Sequence, residues 1–456
     1  MPNAIIFMSD EHTPAVSNVH GHPLAPTPNL ERLAARGTVY EHAYCASPLC
    51  LPSRSAFISG HRVHELQTYS NCLLALPKDI DNMGRALSRE GVYTAYFGCN
   101  FDVYDRPENL GFSEVFAERL RQYPGDCRIG RERTNLNDAA ERASGFGPRS
   151  EKEAYGRDLL VMDKALTWLQ ETAPKLDQPW VLLINLHAPH FNYYTTPALW
   201  ERFAAAADLP PYGRDTETAR HPRNRDLQIY YDTERYTDDQ IRGLRRAYVG
   251  SVCWVDQQLG RVMDALATQG MEDDTTLVYT SDHGVMRGEF GLWWKSSLHE
   301  GAARVPCVAA GPGFSVGMRT VTPVDLHDVQ ASLFRTTGAA RPAQWVGAPL
   351  QDIPAHDPTR VVFCEYHGQG VTASSYLVRQ DRWKLIWHAN APPQLFDLAQ
   401  DPDETTNLAD SQPDQLYAME KLLRAICDPE AEDRRASEFI RHQRELAAAL
   451  GTGGKR

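Results

Sequence analysis

Short apolar runs alternate with stretches of helical spacing along the first three quarters of the chain. Residues 4–9 form one such run and end in Asp10-Glu11, a pattern typical of buried parallel strands, whose carboxyl ends hold the sites of α/β proteins. Similar runs predict strands at residues 38–44, 94–98, 180–186, 275–280 and 305–310. Between them, helices are predicted at residues 27–36, 54–60 and 238–270, the last as one long or broken helix because it contains glycines.

This alternation predicts an α/β fold with a mostly parallel central sheet flanked by helices. Beyond residue 354 the pattern changes to short strands and one helix, at residues 361–366, 375–379, 383–387 and 414–426. That change predicts a small C-terminal α+β subdomain. We therefore expect a catalytic α/β domain over residues 1–355 and the subdomain over residues 356–456, a division that suits a chain of 456 residues.

Two polar stretches, residues 125–151 and 209–235, are rich in charge, proline and glycine. Such composition predicts long surface loops, which often border a substrate entrance. The last residues, 451–456, are expected to be frayed.

Charge and cysteine content change which partners and compartments are expected. The chain carries 47 Lys+Arg against 59 Asp+Glu, a net charge of −12, so we expect no nucleic-acid partner. The N-terminal residues lack the basic segment and apolar core of a secretion signal, and no run approaches the roughly 18 apolar residues of a membrane span. Nine cysteines without CxxC spacing predict no disulfide framework, and hence a cytoplasmic protein.

The strongest chemical motif is Cys50-Leu51-Pro52-Ser53-Arg54, which follows a predicted strand and opens a predicted helix. Main-chain N–H groups at the start of a helix favour an anion, so a reactive side chain there is well placed to act on an anionic substrate. The alternative is a buried structural cysteine followed by an ordinary helix start.

Two acidic loops end predicted strands, Met8-Ser9-Asp10-Glu11 and Ser281-Asp282-His283-Gly284. A hard divalent cation prefers oxygen ligands, and Asp10, Glu11 and Asp282 would supply carboxylates from two strand ends. His283 is a further ligand candidate, or it orients a nucleophilic oxygen. One Ca²⁺, Mn²⁺ or Mg²⁺ ion fits this set, whereas thiolate-rich zinc chemistry does not. Separately, each loop could be a simple solvated turn.

The Cys50–Arg54 motif resembles the signature of the formylglycine-dependent sulfatases, a branch of the alkaline phosphatase superfamily. The similarity extends through both acidic loops to further segments, which are Thr27-Pro28-Asn29-Leu30, Leu33-Ala34-Ala35-Arg36-Gly37, Gly291-Leu292-Trp293-Trp294-Lys295, Arg304-Val305-Pro306, Leu395-Phe396-Asp397-Leu398 and Asp401-Pro402. It implies that a maturation enzyme oxidises Cys50 to formylglycine and that the substrate is a small anionic ester. It also implies one divalent cation, held by Asp10, Glu11, residue 50, Asp282 and His283.

The resemblance further implies roles for five catalytic candidates, Cys50, Arg54, Asn71, His190 and Lys295. Hydrated formylglycine at position 50 offers a hydroxyl as nucleophile, and Arg54 holds its oxygens. His190, in a Pro-His pair after a strand, protonates the leaving oxygen or binds the anion, with His187 as its competitor. Lys295 contacts the transferred group. Asn71 lies where phosphonate monoester hydrolases place an asparagine on the substrate; its alternative is an ordinary turn residue.

The segment Gly98-Cys99-Asn100-Phe101-Asp102 departs from the sulfatase pattern, since many sulfatases carry a lysine and a histidine there. Asn100, Asp102 and Tyr104 are candidate substitutes. Phosphonate monoester hydrolases also lack this lysine and histidine. Two hydrolase functions therefore stay open, on sulfate esters with narrow or broad specificity, or on phosphonate monoesters and phosphodiesters.

Two further alternatives remain at the level of sequence. The chain could be a non-catalytic relative that only binds an anion, although its intact candidate residues argue against this. Glu365-Tyr366-His367 resembles the choline-sulfatase side of the family, where this region can close over the substrate, or it is an ordinary strand end. A homo-oligomer is compatible with the sequence but is not implied by it.

Overall fold

The computed structural model describes residues 2–71, 76–77, 79–101, 103, 107–120, 131 and 139–449. The strands in this part of the chain are β1 (Asn3–Ser9), β2 (Gly37–Tyr40), β3 (Ala43–Tyr44), β4 (Tyr93–Phe101), β5 (Glu114–Leu120), β6 (Phe146–Pro148), β7 (Trp180–Asn185), β8 (Tyr193–Thr195), β9 (Thr275–Ser281), β10 (Met286–Arg287), β11 (Trp293–Trp294), β12 (Arg304–Val305), β13 (Cys307–Ala310), β14 (Met318–Thr320), β15 (Val324–Asp325), β16 (Val361–Tyr366), β17 (Ser375–Gln380), β18 (Trp383–His388) and β19 (Gln394–Asp397).

Eight strands form the central sheet, in the order β14-β2-β13-β9-β1-β7-β4-β5. Neighbouring strands are parallel except where β13 runs antiparallel to β2 and β9, so the predicted mostly parallel sheet is confirmed. In the register of β1 with β9, Ser9 lies opposite Ser281. The residues that follow, Asp10 and Asp282, therefore leave the sheet side by side.

The α-helices are α1 (Pro28–Ala35), α2 (Cys50–Ser59), α3 (Val63–Leu66), α4 (Met83–Arg89), α5 (Ala139–Ser144), α6 (Glu151–Glu171), α7 (Pro197–Arg202), α8 (Glu217–Arg220), α9 (Pro222–Tyr230), α10 (Asp238–Thr268), α11 (Glu300–Ala303), α12 (Leu326–Thr337), α13 (Pro413–Ile426) and α14 (Pro429–Ala449). None of these helices carries an apolar stretch that could cross a membrane.

Helices cover both faces of the central sheet. Successive residues of a strand point to opposite faces. Tyr96 lines a small cavity with Phe57 of α2, whereas the next residue, Phe97, packs edge-on against Trp168 of α6. Helices α1, α6 and α10 pack together on the Phe97 side, and α2, α4 and α12 on the Tyr96 side. The sheet is thus buried on both faces, which explains the continuous apolar runs of its strands.

Three predicted elements differ in the structure. The run at 38–44 divides into β2 of the central sheet and β3, which pairs with β12 and β15 in a small separate sheet. The run at 305–310 divides likewise at Pro306, which lacks an N–H for the ladder. Helix α2 begins at Cys50 rather than Arg54, because Pro52 falls in the first turn, where a missing N–H is tolerated.

The predicted surface loop at 209–235 is wrong in its second half, which forms α8 and α9 with buried polar side chains. Asn224 Nδ2 donates to the main-chain O of Thr218 at 2.8 Å, and Gln228 Nε2 donates to that of Phe290 at 2.8 Å. Polar groups can be buried when hydrogen bonds satisfy them, so composition alone misplaced this segment. In the stretch at 125–151, residues 125–130 and 132–138 lie outside the described residues, and its end forms α5 and β6.

The C-terminal part contains a four-stranded antiparallel sheet, β16-β17-β18-β19, which confirms the predicted α+β subdomain. One face of this sheet, with Tyr376 and Leu385, packs on Met419 and Leu423 of α13. The other face, which includes Leu377, joins the core of the catalytic part. The predicted boundary at residue 355 stays a prediction, as does the frayed tail, which lies outside the described residues.

Lys384 of β18 fastens this sheet to the catalytic part. Its Nζ lies 2.8 Å from Glu300 Oε1 and 2.7 Å from Glu404 Oε1, and the residue is fully buried. We expect Lys384→Met to lower the free energy of unfolding by about 3–5 kcal/mol. It removes the cation that Glu404 and Glu300 share, and it leaves Glu300 with only its longer contacts to Arg304 and Arg379, both at 3.7 Å. Urea denaturation measures this. As a control, Arg424→Met removes the exposed pair with Glu430 and should change stability by about 0–1 kcal/mol; equal losses for both variants would contradict the prediction.

Candidate active site

Cys50 is the first residue of α2 and lies near the carboxyl ends of the central strands. Leu49 before it is extended, with a φ of −159°, so the chain turns into the helix at the cysteine itself. Ser53 Oγ donates to the main-chain O of Asp282 at 2.6 Å and so ties α2 to the end of β9. Cys50 is only 8% exposed, so its side chain is almost entirely enclosed.

Asp10 and Asp282 meet beside α2, as the register of β1 and β9 requires, and Arg54 lies between them. Arg54 Nη2 donates to Asp10 Oδ2 at 3.0 Å, and its Nε donates to Asp282 Oδ2 at 2.9 Å. The other oxygen of Asp282 accepts from the main-chain N–H groups of His283 at 2.8 Å and Glu11 at 3.3 Å. Arg54 therefore orients both carboxylates; its predicted contact with the oxygens of residue 50 stays a prediction.

The two carboxylates differ in how well the described residues stabilise their charge. Burial, and then the nearby Asp282, raise the pKa of Asp10 well above its usual value. Burial also opposes ionisation of Asp282, but His283, Arg54 and Lys295 together hold its pKa below the usual value. Asp10 Oδ1 is buried and accepts no hydrogen bond from the described residues. A cation next to this oxygen would supply the missing partner, so the donor set fits a hard divalent metal ion.

Side-chain ligand atoms gather in two overlapping groups, within each of which all atoms lie within 4.8 Å of one another. The first group is Asp10, Cys50, Asp282 and His283, and the second is Asp10, Glu11 and His190. All five predicted metal ligands are thus brought together. The second group adds His190, which the sequence indicated only as an acid or an anion-binding residue.

Lys295, just after β11, connects the two groups. Its Nζ donates to Cys50 Sγ at 2.9 Å and lies 2.9 Å from His190 Nε2 and 2.8 Å from Glu11 Oε1. Burial opposes its charge, but Cys50, Glu11 and Asp10 raise the pKa of Lys295 above the usual value. The ammonium group is therefore charged and lies directly beside the nucleophile position.

His190 is held as a neutral ring by its two neighbours. Its Nδ1 lies 2.6 Å from the main-chain O of Phe191 and can only donate there, so Nε2 accepts from Lys295. Burial, followed by the charge of Lys295, lowers the pKa of His190 well below its usual value. In this hydrogen bond Lys295 is the donor and carries the proton, and His190 Nε2 is the acceptor.

The competitor His187 lies behind His190, with their ring centroids 4.5 Å apart, and belongs to neither ligand group. Asp158 accepts the main-chain N–H of His187 at 2.6 Å and thereby shapes this turn. Asn71 lies at the first turn of α2, where its Oδ1 accepts the main-chain N–H of Leu51 at 3.1 Å.

Two tyrosines that the sequence did not indicate hold Glu11. Tyr248 Oη donates to the main-chain O of Glu11 at 2.6 Å, and Tyr193 Oη to its Oε2 at 3.5 Å. Both are buried among aromatic residues that look like ordinary core in the sequence, so no local signal could have found them. Among the proposed substitutes near β4, Asp102 and Tyr104 lie outside the described residues, and Asn100 is described only as part of the strand.

Solved structures share this fold. Phosphonate monoester hydrolase of Agrobacterium radiobacter superposes with a TM-score of 0.75 at 23% identity, covering 93% of this chain and 95% of that one. BT4656, solved in complex with D-glucosamine-2-N,6-O-disulfate, superposes with a TM-score of 0.75 at 20% identity, covering 94% and 99%. The chain therefore belongs to the same α/β fold class as these structures.

Sequence comparisons narrow this class. Residues 2–339 match the family described as Sulfatase, and residues 288–428 match the one described as N-sulphoglucosamine sulphohydrolase, C-terminal. Choline-sulfatase of Rhizobium meliloti (strain 1021) is 30% identical over 429 residues, 90% of this chain and 83% of that protein. Arylsulfatase K of Gallus gallus is 28% identical over 463 residues, 93% and 82%. The chain belongs to the sulfatase family, and it is a hydrolase of the sulfatase type.

Proposed function

We propose that the protein hydrolyses sulfate esters of small anionic substrates, with formylglycine derived from Cys50 as its nucleophile and one divalent cation. The observation that carries this proposal is the position of Cys50. It begins a helix within the Cys50–Arg54 motif, 2.9 Å from a charged lysine and beside two buried carboxylates. A formylglycine-generating maturation enzyme is the partner that this chemistry requires.

Asp10, Glu11, Asp282 and residue 50 would hold the cation, with His283 as a further ligand. Bound there, the cation would balance the carboxylates and polarise the transferred group, and hydrated formylglycine would provide the attacking hydroxyl. His283 Nε2 lies 3.5 Å from Cys50 Sγ, and its Nδ1 lies 2.8 Å from the main-chain O of Gly284. The ring is thus fixed to orient the side chain of residue 50.

The remaining residues bind and orient the anion. Lys295 places an ammonium group beside residue 50, where it stabilises negative charge that develops on the transferred group. His190 Nε2 accepts from Lys295, and this pair would supply the proton that the leaving oxygen takes up. Asn71 is the further candidate for a contact with the substrate, and its Oδ1 accepts the main-chain N–H of Leu51, the residue after Cys50.

Comparing three ester classes on the purified protein tests this function. We expect the highest kcat/KM on an aryl sulfate, with lower values on an aryl phosphonate monoester and an aryl phosphodiester. The sequence at residues 98–102, which lacks the lysine and histidine of many sulfatases, is the observation that favours the alternative. A higher kcat/KM on the phosphonate or the diester would overturn the sulfatase proposal and establish that alternative.

The metal site can be tested without an activity assay. Protein treated with a chelator should gain thermal stability on addition of Ca²⁺, Mn²⁺ or Mg²⁺, by about 2.7 kcal/mol at a cation concentration 100 times its Kd. Asp282→Asn removes one carboxylate and should abolish most of this gain. As a control, Asp397→Asn changes a carboxylate on β19, outside both ligand groups, and should leave the gain intact. An equal gain in Asp282→Asn would place the cation elsewhere.

A cytoplasmic location is a further proposal, supported by the number and spacing of the nine cysteines in the sequence.

A further inference from the structure

Glu365, near the end of β16, is a buried carboxylate shared by two histidines. Its Oε1 accepts the main-chain N–H of His64 at 3.0 Å, and His64 Nδ1 lies 3.0 Å from both of its oxygens. His367 Nε2 lies 2.8 Å from Oε2. The residue is 1% exposed. Burial alone would raise the pKa of Glu365, but His64 and His367 hold it below the usual value, so the carboxylate is charged and occupied within the protein.

These histidines place the C-terminal sheet against one short segment of the catalytic part, residues 69–71. The ring of Tyr69 packs edge-on against that of His367, with centroids 4.8 Å apart. Arg435 of α14 donates to Tyr69 Oη at 2.9 Å and also to the main-chain O of His64. Tyr69 is therefore held by His367 on one side and by Arg435 on the other. His367 is a partner of Glu365, and Arg435 binds the other partner, His64.

The next contact continues this arrangement toward the nucleophile. Gly368 lies so close to Ser70 that a Cβ on Gly368 would be 2.7 Å from the Cβ of Ser70. Ser70 is followed by Asn71, whose Oδ1 accepts the N–H of Leu51, the residue after the nucleophile. A continuous series of contacts thus runs from Glu365 to the first turn of α2.

We propose that Glu365 is a positioning residue: through His64 and His367 it holds residues 69–71, and with them the hydrogen bond from the main-chain N–H of Leu51 to Asn71 Oδ1 next to residue 50. Glu365 itself does not touch the substrate. The choline-sulfatase-like segment Glu365-Tyr366-His367 therefore acts from inside the protein rather than as a cover over the substrate. This inference concerns the reaction at residue 50 and rests on the proposed function.

A double-mutant cycle between Glu365→Gln and Asn71→Ala tests the coupling. Glu365→Gln keeps the shape of the side chain but removes the charge that both histidines share. We expect it to lower kcat/KM about 10-fold, mainly through kcat, in the otherwise unaltered protein. In the Asn71→Ala background it should have an effect of less than about 2-fold, because the group it positions is absent. If the fold-losses of the two single variants simply multiply in the double variant, the proposal is overturned.

The matched control is Glu404→Gln. Glu404 is equally buried, also lies near a histidine, His299 at 3.1 Å, and also joins the C-terminal part to the catalytic part. Among the described residues, its partners are His299, Glu300 and Lys384 rather than residues 69–71, so the fold-losses of Glu404→Gln and Asn71→Ala should multiply in the double variant. The assay uses whichever ester the unaltered protein turns over fastest. An unaltered protein inactive on sulfate esters overturns the proposed function, whereas multiplying losses for Glu365 overturn only the positioning role.

A second measurement applies even where Glu365→Gln lowers activity through poor folding. Amide hydrogen exchange of the peptide that contains Leu51 reports on its bond to Asn71. Glu365→Gln and Gly368→Ala, which changes no charge, should both accelerate exchange there more than Glu404→Gln does. Protection of Leu51 that is unchanged in Glu365→Gln and Gly368→Ala would overturn the proposal.

Discussion

Replacing Cys50 with alanine is expected to lower kcat on the preferred ester by about 10⁴-fold or more. Alanine cannot be converted to formylglycine, so the variant lacks a nucleophile, while the proposed anion-binding residues Lys295, His190 and Asn71 remain. KM should therefore change much less than kcat. Steady-state kinetics measure both constants, and mass spectrometry of the peptide that contains residue 50 should show an aldehyde or its hydrate in active, unaltered protein.

The control for this prediction is Cys427→Ala. Cys427 follows α13, is only partly buried and belongs to neither ligand group, so its loss should leave kcat and KM within about 2-fold. A Cys50→Ala variant of undiminished activity would show that the chemistry occurs elsewhere. Active protein that carries only an unmodified thiol at residue 50 would contradict the formylglycine proposal while leaving the site in place.

The sequence predicted the parts of this site that depend on strand ends. Asp10 and Asp282 each follow an apolar run, and the carboxyl ends of parallel strands meet at one edge of a sheet, so their proximity followed from local pattern. What the pattern could not supply was register. The pairing of Ser9 with Ser281 sets the two carboxylates side by side, and it depends on contacts between segments 272 residues apart.

Other features were beyond sequence reasoning for a different reason. The polar residues of α9 looked exposed because their hydrogen-bond partners are distant in the chain; Asn224, for example, lies 3.0 Å from His299. Glu365 looked like either a substrate cover or a plain strand end, because its partner His64 precedes it by 301 residues. Buried polar networks of this kind are defined by tertiary contacts, which composition and periodicity do not encode.

The Lys295→Met variant is expected to lose about 10²–10³-fold in kcat/KM. Methionine fills a similar volume without the charge, so the variant removes both the cation beside residue 50 and the proton that His190 shares. Lys384→Met is the matched control, since Lys384 is also a buried lysine between carboxylates but contacts neither ligand group. It should lower stability while kcat of the folded protein stays within about 2-fold.

The pH dependence of Lys295→Met separates an electrostatic role from a purely steric one. The positive charge of Lys295 lowers the pKa of both Asp10 and Asp282, which favours their ionised, cation-binding forms. Without that charge both pKa values rise, so the carboxyl groups of Asp10 and Asp282 are protonated in a larger fraction of the protein at a given pH. The acid limb of the pH profile of kcat/KM therefore moves to higher pH. Lys295→Arg keeps the charge and should keep the limb of the unaltered protein, even if its larger head group lowers kcat. An acid limb that stays in place in Lys295→Met would mean that the charge of Lys295 does not control the carboxylates, and the electrostatic account of this site would fail.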